Sequence, residues 1–164
     1  VSLNYHNNIQ VYGLPRSGTN FMEWTLRNNF YNVDYHNIDA INEVKGSGPH
    51  LTLKKHNYPI LDTSEGIIVI YKEFDEWRKS LKRGGMNLLI DREAHQNYID
   101  RAKEFDSSKV LIVEHEWCLN HYYKLLERIS IKFGLELKHD WEQPLKRMST
   151  DGGVTLTNED YVSN

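Results

Sequence analysis

Between an apolar run that ends at Tyr12 and an amphipathic stretch that begins at Thr19, the chain passes through Gly13, Leu14, Pro15, Arg16, Ser17 and Gly18. A turn of this kind between a buried strand and a helix aims backbone N–H groups at one point, and the helix dipole adds partial positive charge there. Gly13 and Gly18 let the backbone come close to a ligand, and Arg16 and Thr19 add side-chain donors. The chemistry is anion binding. In the loop that holds ATP or GTP, G-x-x-x-x-G-K-[ST], a Lys follows the second glycine to reach the terminal phosphates and the next hydroxyl holds Mg²⁺. Thr19 and Asn20 occupy those positions here. The cradle is kept, its cation has moved inside the loop to Arg16, and nucleoside triphosphate hydrolysis is disfavoured.

"PRSGTNF", Pro15 to Phe21, resembles the 5′-phosphosulfate loop of the sulfotransferases, whose donor is 3′-phosphoadenosine-5′-phosphosulfate (PAPS). That pattern reads P-K-S-G-T-T-W in the cytosolic members and P-R-S-G-T-T in the tyrosylprotein and several carbohydrate members. Arg16 follows the second form, and Asn20 and Phe21 depart from both. The resemblance implies donor contacts from Arg16, Ser17, Gly18, Thr19 and Asn20, with Phe21 either stacking on adenine or packing into the core. Arg16 stays charged at neutral pH, so its catalytic role would be electrostatic, on the leaving phosphate.

The family's 3′-phosphate motif places an Arg at the end of a central strand and a Ser two turns into the next helix. "IIVIYKEFDEWRKS" offers Lys72 and Ser80 at that separation. A strand-end cation and a helix hydroxyl so spaced reach one phosphate. Lys brings a point charge where the family has a bidentate fork, and Phe74 replaces the motif's usual Pro.

"LKKHNYP", Leu53 to Pro59, is similar to the segment of the cytosolic members that carries the catalytic histidine. His56 would accept the acceptor's proton, Lys54 would sit near the transferred sulfuryl group, and Glu43 is the alternative base, since several members use Glu. "KRMSTDGG" stands where a basic lid closes on the donor, which makes Lys146 and Arg147 donor contacts by resemblance. "KVLIVEHEWCLNHYYKLLERISIKFGLEL" is similar to the family's later strand and helix, with His115 and Glu116 at its Tyr and Glu; these are scaffolding. PAPS is then the donor, adenosine 3′,5′-bisphosphate the product, and the acceptor a hydroxyl or amine compound of unknown identity. An ATP-dependent small-molecule kinase and a non-catalytic nucleotide-binding module are the alternatives.

Elements must hold these residues in place. Ile9 to Tyr12 reads as a strand, about Thr19 to Phe30 as a helix, Val33 to Ile38 as a weaker strand, Asp39 to Pro49 as a loop and Leu51 to Lys55 as extended chain. The run Gly66 to Tyr71 predicts a strand buried on both faces. Helices are expected over Phe74 to Lys82 and Glu93 to Phe105, a second buried strand over Val110 to Val113, and one long helix over Trp117 to Phe133, closed by Gly134. Strands alternating with helices imply an α/β protein, a three-layer sandwich with a central parallel sheet and its ligands beyond the strands' carboxyl ends. Residues 1–164 are expected to form one compact unit, with 144–164 a lid or tail.

Composition bounds the partners. With 39% hydrophobic and 26% charged residues in 164, the chain is expected to fold into one core. A net charge of -3 argues against a general nucleic-acid surface. Cys118 is the only cysteine and is expected to be a buried hydrophobe. The eight histidines show no metal-ligand spacing, so no metal site is expected. No apolar run approaches a membrane span, and no secretory signal is evident, so the expected location is cytoplasmic. A homo-oligomer is left open.

Overall fold

The computed structural model describes residues 8–31, 33–37, 50–53, 66–105 and 107–144. Strand β1 (Asn8–Tyr12) leads through the glycine loop to helix α1 (Thr19–Asn29), followed by β2 (Asp34–Asn37), β3 (His50–Leu53) and β4 (Gly66–Tyr71). Then come α2 (Phe74–Arg83), α3 (Arg92–Ala102), β5 (Val110–Glu114), α4 (His115–Asn120) and α5 (Tyr122–Phe133). The strands form one five-stranded sheet in the order β2-β3-β1-β4-β5, and every paired neighbour runs parallel. The α/β class and the parallel sheet agree with expectation.

Alternation along the strands divides the core into two layers. Ile9, Val11, Ile68, Ile70, Leu111 and Val113 pack with α1, α4 and α5 on one face. Tyr12, Ile67, Val69 and Val110 pack with Trp77 and Leu81 of α2 and Tyr98 and Ala102 of α3 on the other. β4 supplies residues to both clusters, and Gly66 to Ile70 are all buried. That is why it reads as a continuous apolar run. In register, Val11 of β1 stands beside Ile68 of β4, and Ile68 beside Leu111 of β5. The loops after β1 and β4 therefore leave the sheet side by side.

The single long helix expected from Trp117 to Phe133 is instead two. α4 begins at His115, directly after β5, and the backbone leaves helical geometry at His121 (φ -134°, ψ 48°) before α5 starts. Asn120, His121, Tyr122 and Tyr123 are four successive residues of low helix propensity, a weak point at which the helix divides. Cys118, Tyr122, Leu126, Ile129 and Phe133 nevertheless share the buried face. α5 ends as expected on Gly134 in the left-handed conformation (φ 67°).

Beyond α5 the chain returns to the end of α1. Phe30 and Leu137 form an antiparallel bridge, and Lys138 donates its backbone N–H to the Asn29 carbonyl at 2.8 Å. No helix among the described residues is long and apolar enough to cross a membrane.

Candidate functional site

The loop from Gly13 to Gly18 emerges at the carboxyl end of β1, and its glycines are dictated by crowding. A Cβ on Gly13 would stand 2.6 Å from Thr19 Cγ2 and 3.1 Å from the Ile70 carbonyl. Gly18 adopts φ +103°, and a Cβ there would lie 2.7 Å from Cδ2 of His115. His115 is buried at the start of α4 and meets the Phe21 ring edge-on, with centroids 5.2 Å apart. It thus seats the loop against the sheet, which is scaffolding as expected.

Two bonds hold the loop's shape. The Ser17 N–H donates to the Leu14 carbonyl at 3.1 Å, and the indole N–H of Trp77 in α2 donates to the Pro15 carbonyl at 2.8 Å. α1 then starts on Gly18, which brings no side-chain acceptor, and its first turn carries no acid. α2 and α3 start differently. Glu73 accepts from the N–H groups of Asp75 and Glu76, and Asp91 accepts from Ala94. The positive end of α1, unlike those of α2 and α3, has no carboxylate of its own, and it lies beneath the glycine loop.

Three of the residues singled out in the sequence meet here. Arg16 Nε donates to Ser80 Oγ at 3.4 Å, and Lys72 Nζ donates to the same oxygen at 3.3 Å. Ser80 is only 1% exposed. Arg16 comes from the β1 loop, Lys72 from the end of β4 and Ser80 from the second turn of α2. Two cations drawn to one hydroxyl repel each other unless an anion joins them. A phosphate or sulfate ester is the kind of group that two cations and a hydroxyl so arranged can hold.

The backbone of Arg16 lies at φ 68°, the one positive φ at a non-glycine position among the described residues. Such conformations cluster where function requires a particular side-chain direction. Ser17 and Thr19 are buried within the loop, and Asn20 is half-buried in the first turn of α1. Phe21 is a correction to the stacking alternative. It is 1% exposed, packed among core residues and edge-on to His115 and Tyr122, so its ring offers no face to adenine. Glu43, Lys54, His56, Lys146, Arg147 and the segment after Pro144 lie outside the described residues.

Lys72 has a support that its sequence context did not reveal. His95 of α3 is buried between Phe74 and Trp77, with centroids 5.4 and 5.0 Å away, and is hydrogen-bonded to the Lys72 backbone. Burial lowers its pKa, and the Arg92 charge adds to this against the opposite pull of Glu73 and the backbone bond. A cavity of about 630 Å³ opens beside it at the ends of β4 and β5, lined by Tyr71, Lys72, Phe74, Arg92, His95 and Glu114 among others. Trp77 and His95 were missed because a tryptophan or histidine on a helix face gives no signal of what it touches.

The five-stranded parallel sheet between helical layers, with a glycine loop after its central strand, matches the sulfotransferase fold. Among solved structures the chain is similar to mouse sulfotransferase SULT7A1 complexed with PAP, at a TM-score of 0.57 and 14% identity. The match covers 80% of this chain and 60% of that one, so the chain spans less than two thirds of its structural neighbour. No protein-family model and no curated protein sequence matches the chain.

Proposed function

We propose that the protein is a PAPS-dependent sulfotransferase of one domain, residues 1–164, moving a sulfuryl group to a hydroxyl or amine acceptor by in-line displacement. The observation that carries this reading is the convergence of Arg16, Lys72 and Ser80 beside an uncapped helix start. A loop for one phosphate and a cation–hydroxyl pair for a second suit a nucleotide phosphorylated at two separate positions. The neighbouring fold was solved with PAP, adenosine 3′,5′-bisphosphate, the product that such a transfer leaves.

PAPS would supply the sulfuryl group and a stable leaving phosphate. The N–H groups from Ser17 to Asn20 would bind the 5′-phosphate, and Arg16 would take the negative charge that builds on its oxygen as the sulfur–oxygen bond breaks. Lys72 and Ser80 would hold the 3′-phosphate and fix the donor's register. We assign the acceptor's proton to His56, the oxygen or nitrogen that loses it forming the new bond to sulfur, with Lys54 beside the group in transfer. Lys146 and Arg147 complete the donor contacts in this proposal.

Calorimetric titration with adenosine 3′,5′-bisphosphate, beside ATP with Mg²⁺, is the deciding experiment. Binding of the bisphosphate at low micromolar Kd or better, independent of metal, is expected. Binding of ATP in its place would sink the proposal in favour of a kinase. Labelled sulfate transfer to a panel of phenols, sugars and peptides then separates an enzyme from a binding module, and an unaltered rate in His56→Ala would move the base role elsewhere.

A further inference from the structure

α2 ends on two glycines, Gly84 and Gly85, and helix capping accounts for only one of them. Gly85 has φ +69°, the left-handed conformation that closes many helices, and a Cβ there would meet nothing within 4 Å. Gly84 has φ -82° and ψ 3°, geometry open to any residue. Its N–H bonds back to the Ser80 carbonyl, as any residue's would. What sets Gly84 apart is the space over it. A Cβ there would stand 3.2 Å from Nε, 3.3 Å from Cζ and 3.5 Å from Cδ of Arg16.

The Arg16 backbone, at φ 68°, is held in the left-handed conformation that residues with a side chain seldom adopt. Its side chain lies along the bare Cα of Gly84 and there reaches Ser80 Oγ at 3.4 Å. We infer that Gly84 is a positioning residue, its missing side chain being the seat that lets the Arg16 guanidinium lie between the anion loop and Ser80. This rests on the donor-binding reading above. A side chain at position 84 makes the guanidinium give by a few tenths of an ångström, away from the position in which it now lies beside Ser80 Oγ.

The two glycines give a crossed test in the full chain, read by titration with adenosine 3′,5′-bisphosphate and by thermal unfolding. Gly84→Ala is expected to bind roughly three- to tenfold more weakly, and Gly84→Leu more weakly still. Its unfolding midpoint should be unchanged or higher, because the alanine restricts the unfolded chain. Gly85→Ala should show the reverse, a lower midpoint with unchanged affinity, since its strain touches no part of Arg16. In an Arg16→Ala background, Gly84→Ala should have no further effect on binding.

Wild-type affinity in Gly84→Ala, beside a loss in Arg16→Ala, would overturn the positioning role and leave the donor-binding reading standing. A further loss in the Arg16→Ala background, or a fall in affinity matched by a fall in midpoint, would also overturn it. Wild-type affinity in Arg16→Ala would instead overturn the donor-binding reading itself.

Discussion

Trp77 of α2 donates its indole N–H to the carbonyl of Pro15 at 2.8 Å, so the helix that follows β4 holds the loop that follows β1. The bond is buried at the ring, and Trp77 is also the largest fully buried side chain of the described residues. Replacing it with Phe keeps an aromatic ring, removes the donor and leaves the Pro15 carbonyl without this partner. Trp77→Phe should lose about 1–3 kcal/mol of stability in urea denaturation. It should also bind adenosine 3′,5′-bisphosphate more weakly, because Arg16 is the next residue of the same loop. Unchanged affinity at reduced stability would mean that the loop keeps its shape without the bond.

Ser80 accepts from both Arg16 and Lys72 while its own proton stays available to a ligand oxygen. Ser80→Ala removes only the hydroxyl, so the fold should be kept. Affinity for adenosine 3′,5′-bisphosphate should fall roughly tenfold or more, with little change for adenosine 5′-monophosphate, which lacks the second phosphate. Equal losses for both nucleotides in parallel titrations would contradict the assignment of Ser80 to the 3′-phosphate. Lys72→Arg exchanges a point charge for a fork and should preserve or tighten bisphosphate binding.

Much of this site was legible because short motifs carry their own geometry. Gly13, Arg16 and Gly18 lie between a strand and a helix in the chain as in the fold, so the loop and its place between β1 and α1 could be read from the sequence. The separation of Lys72 and Ser80 likewise survives folding, because a strand end and the second turn of the next helix face each other. What the sequence concealed depends on contacts between distant elements. Nothing marks Trp77 as the partner of Pro15, His95 as the support of Lys72, or Gly84 as the seat of Arg16. Phe21 was open to two readings because an aromatic at a helix start can face a ligand or the core, and packing against His115 and Tyr122 decides for the core. The helix from Trp117 to Phe133 kept its apolar period across the break at His121, so periodicity could not show that the backbone divides there.

His95 gives stability a defined dependence on pH. Its pKa lies below the ordinary histidine value, chiefly because burial disfavours the charged ring. The unfolded chain therefore takes up a proton before the folded one does. The contribution of His95 is complete above about pH 6.5 and is lost as pH falls from there through the folded-state pKa. Urea midpoints measured from pH 7.5 down to 5 should fall, and His95→Phe, which keeps a ring between Phe74 and Trp77, should show a shallower fall. Parallel profiles for the two proteins would assign the acid sensitivity to other groups.

Asn29 secures the far end of α1, and through it the direction in which the helix presents its start to the loop. Its side-chain amide donates to the Tyr122 hydroxyl at 2.7 Å and to the Glu142 carbonyl at 2.8 Å, and its side-chain oxygen accepts the Glu142 N–H at 2.9 Å. The Tyr122 hydroxyl also shares a hydrogen bond with Thr25 Oγ1, 2.8 Å away, in which either oxygen can donate. Three elements, α1, α5 and the segment after it, thus meet at one buried amide. Asn29→Ala should lose about 2–4 kcal/mol, since it strands polar groups on two partners at once. Asn29→Asp keeps the acceptor and removes both donated bonds, so it should not rescue. If urea denaturation placed Asn29→Asp near wild type, the Glu142 N–H bond would be the one that matters and the link to Tyr122 would be dispensable. The expected result, loss in both variants, would show that the anchoring of α1 depends on the donated pair.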